Sequence, residues 1–209
     1  MIFIVCTFLF VLVGIGVERN SWSARDAAVA QWFEAHITPE RTRVAFAATQ
    51  MGSDIFTFAI TFVIALLLRR ISRYWLERTL ITIVGGAILN EALKFVFYRQ
   101  RPHFSHPLLH LQSNSFPSGH TLAATVLSGT LILLVFAFSK SRVMRIAVIP
   151  AGVATILLVA STRIYLGVHY FSDVIGGLLE GVAWISGVGI MMDRKRMRRE
   201  DGQRFRIAG

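Results

Sequence analysis

Arg163, His169 and Asp173 fall in one short segment, Ser161-Thr-Arg-Ile-Tyr-Leu-Gly-Val-His-Tyr-Phe-Ser-Asp173, set among long apolar runs. If Asp173 begins a helix and His169 lies just before it or in its first turn, the four-residue spacing lets the carboxylate reach the imidazole. That contact fixes the tautomer and leaves the other ring nitrogen free. Beside a permanently charged guanidinium, a free imidazole nitrogen suits attack on an anionic centre, most naturally phosphorus, whose oxygens Arg163 holds as a fork. The same residues also fit a polar interfacial loop with an aspartate helix cap. Other stretches must decide.

Two do so. In Lys94-Phe-Val-Phe-Tyr-Arg-Gln-Arg101-Pro102 a lysine closes an apolar helix that Pro102 is expected to stop; taken alone, Lys94 reads as a snorkelling cation or a partner of Glu91 at i, i+3. Phe116-Pro-Ser-Gly-His120 immediately precedes another apolar run, so Ser118 and the Gly119 amide lie at a helix N-terminus, where unpaired N–H groups attract an anion. Taken alone, it is an ordinary proline and serine helix start. Together, two histidines, several cations and an amide-rich helix start are what phosphoryl transfer without a metal requires, because charge spreads over three equatorial oxygens as phosphorus is attacked in line.

These stretches resemble the type 2 phosphatidic acid phosphatases at all three of that family's motifs. Lys94 to Pro102 matches lysine, six residues, then Arg-Pro; Pro117 to His120 matches Pro-Ser-Gly-His; Arg163, His169 and Asp173 match the third spacing. Thr162 stands where the family often has serine, and keeps a hydroxyl. The resemblance implies His169 as nucleophile, Asp173 as its orienter, and His120 as the acid that protonates the leaving oxygen and then activates water. Lys94, Arg101, Ser118, Gly119 and Arg163 would hold the phosphate, with neither metal nor other cofactor. The implied substrate is a lipid phosphate or diphosphate, with undecaprenyl diphosphate and phosphatidylglycerol phosphate ahead of lipid A phosphates. Rival readings are a lipid phosphotransferase using the same phosphohistidine, a vanadate haloperoxidase, and a lipid transporter with a relic anion site. The apolar spans argue against the haloperoxidase, since those enzymes are soluble.

The chain that must position these groups is 209 residues long, 54% hydrophobic, with a mean hydropathy of +0.57. That is far above a soluble norm, so lipid is the expected solvent. The net charge of +10 clusters beside apolar runs rather than on a soluble basic face, which argues against nucleic acid. A single cysteine, Cys6, permits neither a disulfide framework nor a cysteine metal site.

Apolar runs at Met1 to Val17, Ile55 to Leu68, Leu80 to Phe97, Thr121 to Phe138, Ile146 to Thr162 and Val174 to Met192 predict an all-α protein of six transmembrane helices. The first lacks a basic n-region and a small-x-small cleavage site, and reads as a retained span rather than a signal peptide. Between spans one and two, Ser23-Ala-Arg-Asp26 resembles a capping box and Thr38-Pro39-Glu40 a helix start, predicting short interfacial helices with Trp32, Phe33 and Ile37 on the membrane surface. One membrane domain over 1–209 is expected, with a basic tail from about 193. Gly85, Gly86, Gly177 and Gly181 suit close helix packing.

Six spans put both termini on one side. The loops after spans two, four and six carry fourteen Lys and Arg residues against eight on the other side, so termini and tail are expected in the cytoplasm and the three motifs on the outer face of a bacterial plasma membrane. The tail also suits anionic lipid. His103, His106 and His110 have no convincing metal spacing, and Glu180, in the middle of span six, receives no role.

Overall fold

The computed structural model describes residues 1–102, 108–109 and 111–208, the last ten by backbone alone. His103, His106 and His110 lie outside the described residues. The remainder forms eight α-helices, and no strand occurs among the described residues: α1 (Ile2–Glu18), α2 (Ser23–Glu34), α3 (Pro39–Thr49), α4 (Asp54–Ile71), α5 (Arg73–Phe97), α6 (Gly119–Phe138), α7 (Arg142–Tyr165) and α8 (Phe171–Ala208), with a short 3-10 turn at Gln50–Gly52.

Short side chains start the helices. Thr38, Ser53, Ser72 and Ser141 each accept from the backbone N–H three residues on, at 3.3 to 3.4 Å, opening α3, α4, α5 and α7. Asp26 does not cap α2 in this way. The helix begins without a side-chain cap, and Asp26 is turned into the protein, where a half-buried cation competes for it. Nor does Pro102 end α5: Tyr98 adopts a left-handed conformation (φ 43°) and closes the helix at Phe97.

Four helices, α5 to α8, are each long and apolar enough to cross a membrane. The first two expected spans enter only as bent pairs, α1 with α2 at 88° and the α3 segment with α4 at 44°, giving up to six crossings. At 1.5 Å per residue, α1 alone covers about 25 Å, short of a hydrocarbon core of about 30 Å. Side-chain polarity is turned inside out. Ile55, Phe62, Leu67, Ile88 and Leu157 face outward, while Thr57, Thr61, Thr79, Thr82 and Asn90 are buried. With lipid outside, apolar side chains gain nothing by facing inward, and small hydroxyl residues let helices approach while bonding to their own turn, as Thr61 and Thr125 do.

α6 occupies the middle, packed by α4, α5, α7 and α8, and α1 lies along α8. Phe33 and Ile37, expected on the membrane surface, pack instead against Tyr165, Leu166 and Val168; Trp32 remains exposed and stacks on His36. Glycines of α8 let it approach α6 closely. A Cβ on Gly177 would stand 2.5 Å from the Ser118 carbonyl oxygen, and one on Gly181 2.7 Å from Thr125. Gly177→Ala should therefore push α8 off α6, at a cost of about 1 to 3 kcal/mol. A melting temperature in detergent equal to that of the parent would contradict this packing.

Candidate active site

The three polar segments meet at one end of the bundle. A cleft of about 300 Å³ runs from that end between α4, α5 and α6, and its lining includes Lys94, Arg101, Gly119, His120, Arg163 and His169. Asp173 and Ser118 stand behind it. Asp173 is fully buried beneath His169, and the Ser118 hydroxyl, equally buried, accepts from Thr121 at 3.0 Å. Ser118 acts through its backbone, its N–H donating to the Asp173 carbonyl at 3.0 Å and so joining the α6 start to α8.

His169 lies two residues before α8, with Asp173 in the first turn. Nδ1 is 3.5 Å from Asp173 Oδ2 and Nε2 is 3.2 Å from Arg101 Nη1. A guanidinium only donates, so Nε2 is the acceptor and the ring proton sits on Nδ1, toward the carboxylate. Burial first, with the charges of Arg101 and Arg163 adding to it, pushes the His169 pKa from 6.5 down to about 4 against the pull of Asp173. At neutral pH the imidazole is neutral, with a lone pair in the cleft. The Nδ1 contact is long for a hydrogen bond, as is common without substrate.

Asp173 is held by more than its histidine. Ser115 Oγ donates to Oδ2 at 2.5 Å, the Tyr170 N–H donates to Oδ2 at 2.8 Å, and Arg99 Nη1 donates to Oδ1 at 2.5 Å. Arg99 reaches the other way to Asp26 on α2 at 2.7 Å, and Asp26 also accepts from the Ser172 N–H and hydroxyl at 2.9 and 2.6 Å. The Arg99 guanidinium lies 4.2 Å from the Tyr170 ring centroid. Sequence reasoning counted Arg99 only as a loop cation and Asp26 only as a cap. An acid between the first two spans and an unassigned arginine inside a motif were the signal available.

The cations differ in their freedom. Arg101 is anchored by Ser113, Asn114 and the Val168 carbonyl, which aims it at His169. Arg163 is buried, bonds Thr49 at 2.9 Å and has no partner for Nε among the described residues. Lys94 pairs with Glu91 at 2.6 Å, as its spacing allowed, and also lines the cleft. Asn114 Nδ2 donates to the Lys94 carbonyl and the Ser115 N–H to that of Arg99, so the first two polar segments are stitched side by side.

Membrane-length helices closing on one polar cleft, with a neutral histidine among cations at a helix start, define a membrane-embedded enzyme of phosphate chemistry. The chain belongs to the PAP2 superfamily, whose family model matches residues 75–197. It is 31% identical over 185 residues to phosphatidylglycerophosphatase B of Bacillus subtilis, covering 85% of this chain and 89% of that one. It is 33% identical over 118 residues to the undecaprenyl-diphosphatase of Sulfolobus acidocaldarius, covering 54% of this chain and 52% of the relative. The crystal structure of a transmembrane PAP2 type phosphatidylglycerolphosphate phosphatase from Bacillus subtilis superposes with a TM-score of 0.84 at 25% identity, over 92% of this chain and 96% of that one.

The Asp26–Arg99–Asp173 chain generates a prediction. Asp26→Asn leaves the cleft lining intact and loosens the carboxylate behind His169, so kcat on a lipid phosphate should fall about tenfold with KM nearly unchanged, and Asp26→Glu should restore part of it. A rise in KM at constant kcat would place Asp26 in substrate binding instead.

Proposed function

We propose that this protein hydrolyses a lipid phosphate or lipid diphosphate without a metal, by way of a phosphohistidine on His169. The observation that carries the reading is the unprotonated His169 Nε2, an acceptor for Arg101, inside a cleft that Lys94, Arg163 and Gly119 also line. The Nε2 lone pair attacks phosphorus, and the bond to the leaving oxygen breaks as His120 delivers a proton to it. His120 then takes a proton from water, whose oxygen attacks the phosphohistidine, and phosphate leaves with His169 neutral again. Lys94, Arg101, Arg163 and the Gly119 amide at the helix start stabilise the equatorial oxygens, while Ser118 fixes that helix start against α8 and Asp173 steadies the imidazolium. The names of the relatives support phosphatidylglycerol phosphate and undecaprenyl diphosphate as the substrates to try first.

The test is phosphate release by purified protein in detergent from a panel of lipid phosphates, with EDTA present and no acceptor supplied. Release that persists in chelator, falls with vanadate and vanishes in His169→Ala is expected. Loss in chelator, restored by one divalent metal, would overturn the metal-free design; turnover only when an acceptor hydroxyl is added would make the protein a phosphotransferase.

The cation asymmetry of the loops supports a plasma-membrane orientation with the cleft on the non-cytoplasmic side and the tail in the cytoplasm. In a background lacking Cys6, cysteine at Ser113 should react with an impermeant reagent added outside and cysteine at Ser72 should not. The reverse pattern would invert the protein.

A further inference from the structure

One polar pair deep in the bundle is untouched by the chemistry above. Asn90 on α5 lies one turn deeper than Lys94, and its Nδ2 donates to Glu180 Oε2 on α8 at 2.8 Å. Both side chains are more than nine-tenths buried. Asn90 Oδ1 and Glu180 Oε1 have no hydrogen-bond partner among the described residues, which is costly at membrane depth. A carboxylate and an amide serving only to join two helices would be expected to use their bonding capacity on each other or on neighbouring backbone. Asn90 also lines the cleft. Its Oδ1 points toward the helix start, 3.1 Å from where a Cβ on Gly119 would stand, a place that Lys94 Nζ approaches to 3.3 Å.

The partner such a site takes is defined by its chemistry. One Nδ2 hydrogen goes to Glu180, and the Asn90 atom turned toward the helix start is Oδ1, an acceptor that bonds a donor and repels an anion. The cleft's cations suffice for one phosphate: Lys94, which also pairs with Glu91, joins Arg101 and Arg163 around it, while Arg99 is held behind by Asp26 and Asp173. A second phosphate would meet Asn90 Oδ1 and Glu91 rather than further positive charge.

Resting on the phosphatase reading, we propose that Asn90, oriented by Glu180, accepts a hydrogen bond from a hydroxyl on the leaving group next to the phosphoester, so that the preferred substrate is the phosphate monoester of a polyol head group rather than an isoprenoid diphosphate.

The test compares wild type and Asn90→Ala on three substrates: phosphatidylglycerol phosphate, its propanediol analogue lacking the free hydroxyl, and undecaprenyl diphosphate. Wild type should lose about tenfold in kcat/KM when the hydroxyl is removed, the scale of one buried hydrogen bond. Asn90→Ala should lose about as much on the hydroxylated lipid and no longer tell it from the analogue. The comparison within wild type holds even if the variant folds poorly. Equal rates of wild type on the first two lipids, a uniform loss in Asn90→Ala, or a wild-type preference for the diphosphate would each overturn the proposal while leaving lipid phosphatase activity standing. Release from none of the three would instead remove the reading on which it rests.

Discussion

A carboxylate without contact to water sets the terms for the rest of the molecule. Asp173 is fully buried, and an unpaired buried charge is costly enough to neutralise itself or unfold its surroundings. The fold answers with a permanent cation, a hydroxyl and a backbone N–H, and the same Arg99 also holds a second buried carboxylate on α2. Removing Arg99 would leave both carboxylates buried without their cation, at a cost of about 3 to 5 kcal/mol. Charge balance thus ties an element outside the long spans to the residue that orients His169.

The tie explains why the first fifty residues fold back over the bundle. α2 and α3 bring Asp26 and Thr49 to the ends of α8 and α7, where they hold Ser172 and Arg163. α6 delivers Gly119 and His120, while the glycines of α8 let the Ser118 carbonyl approach closely enough for its N–H to reach the Asp173 carbonyl. Phosphate chemistry of this kind needs donors fixed before the charge develops. Here the donors come from the ends of α5, α6 and α7 and from the segment after α5, and the helices are fixed to one another by close backbone approach.

The site was largely legible because its residues stand in short local spacings: Lys94 to Arg101, Ser118 to His120 and Arg163 to Asp173 each read within one segment, and the apolar runs bound them. Arg99 and Asp26 were not legible, because their meaning is a pairing across 73 residues and because Ser23 to Asp26 fits a local capping pattern equally well. Local pattern misled again at Pro102, where the helix had already closed at Tyr98, and at Phe33 and Ile37, which had a protein surface rather than a lipid one to cover. Hydropathy counted six spans correctly as an upper number, but could not show that the first two depend on bent partners.

The central claim is that phosphorus is bonded to His169 before it meets water. The most direct measurement is the stereochemical course of hydrolysis of a lipid phosphorothioate made chiral at phosphorus with oxygen isotopes and turned over in isotopically distinct water. Two successive in-line displacements, one by His169 and one by water, predict net retention of configuration. Net inversion would mean a single direct attack by water, and His169 would not be the nucleophile.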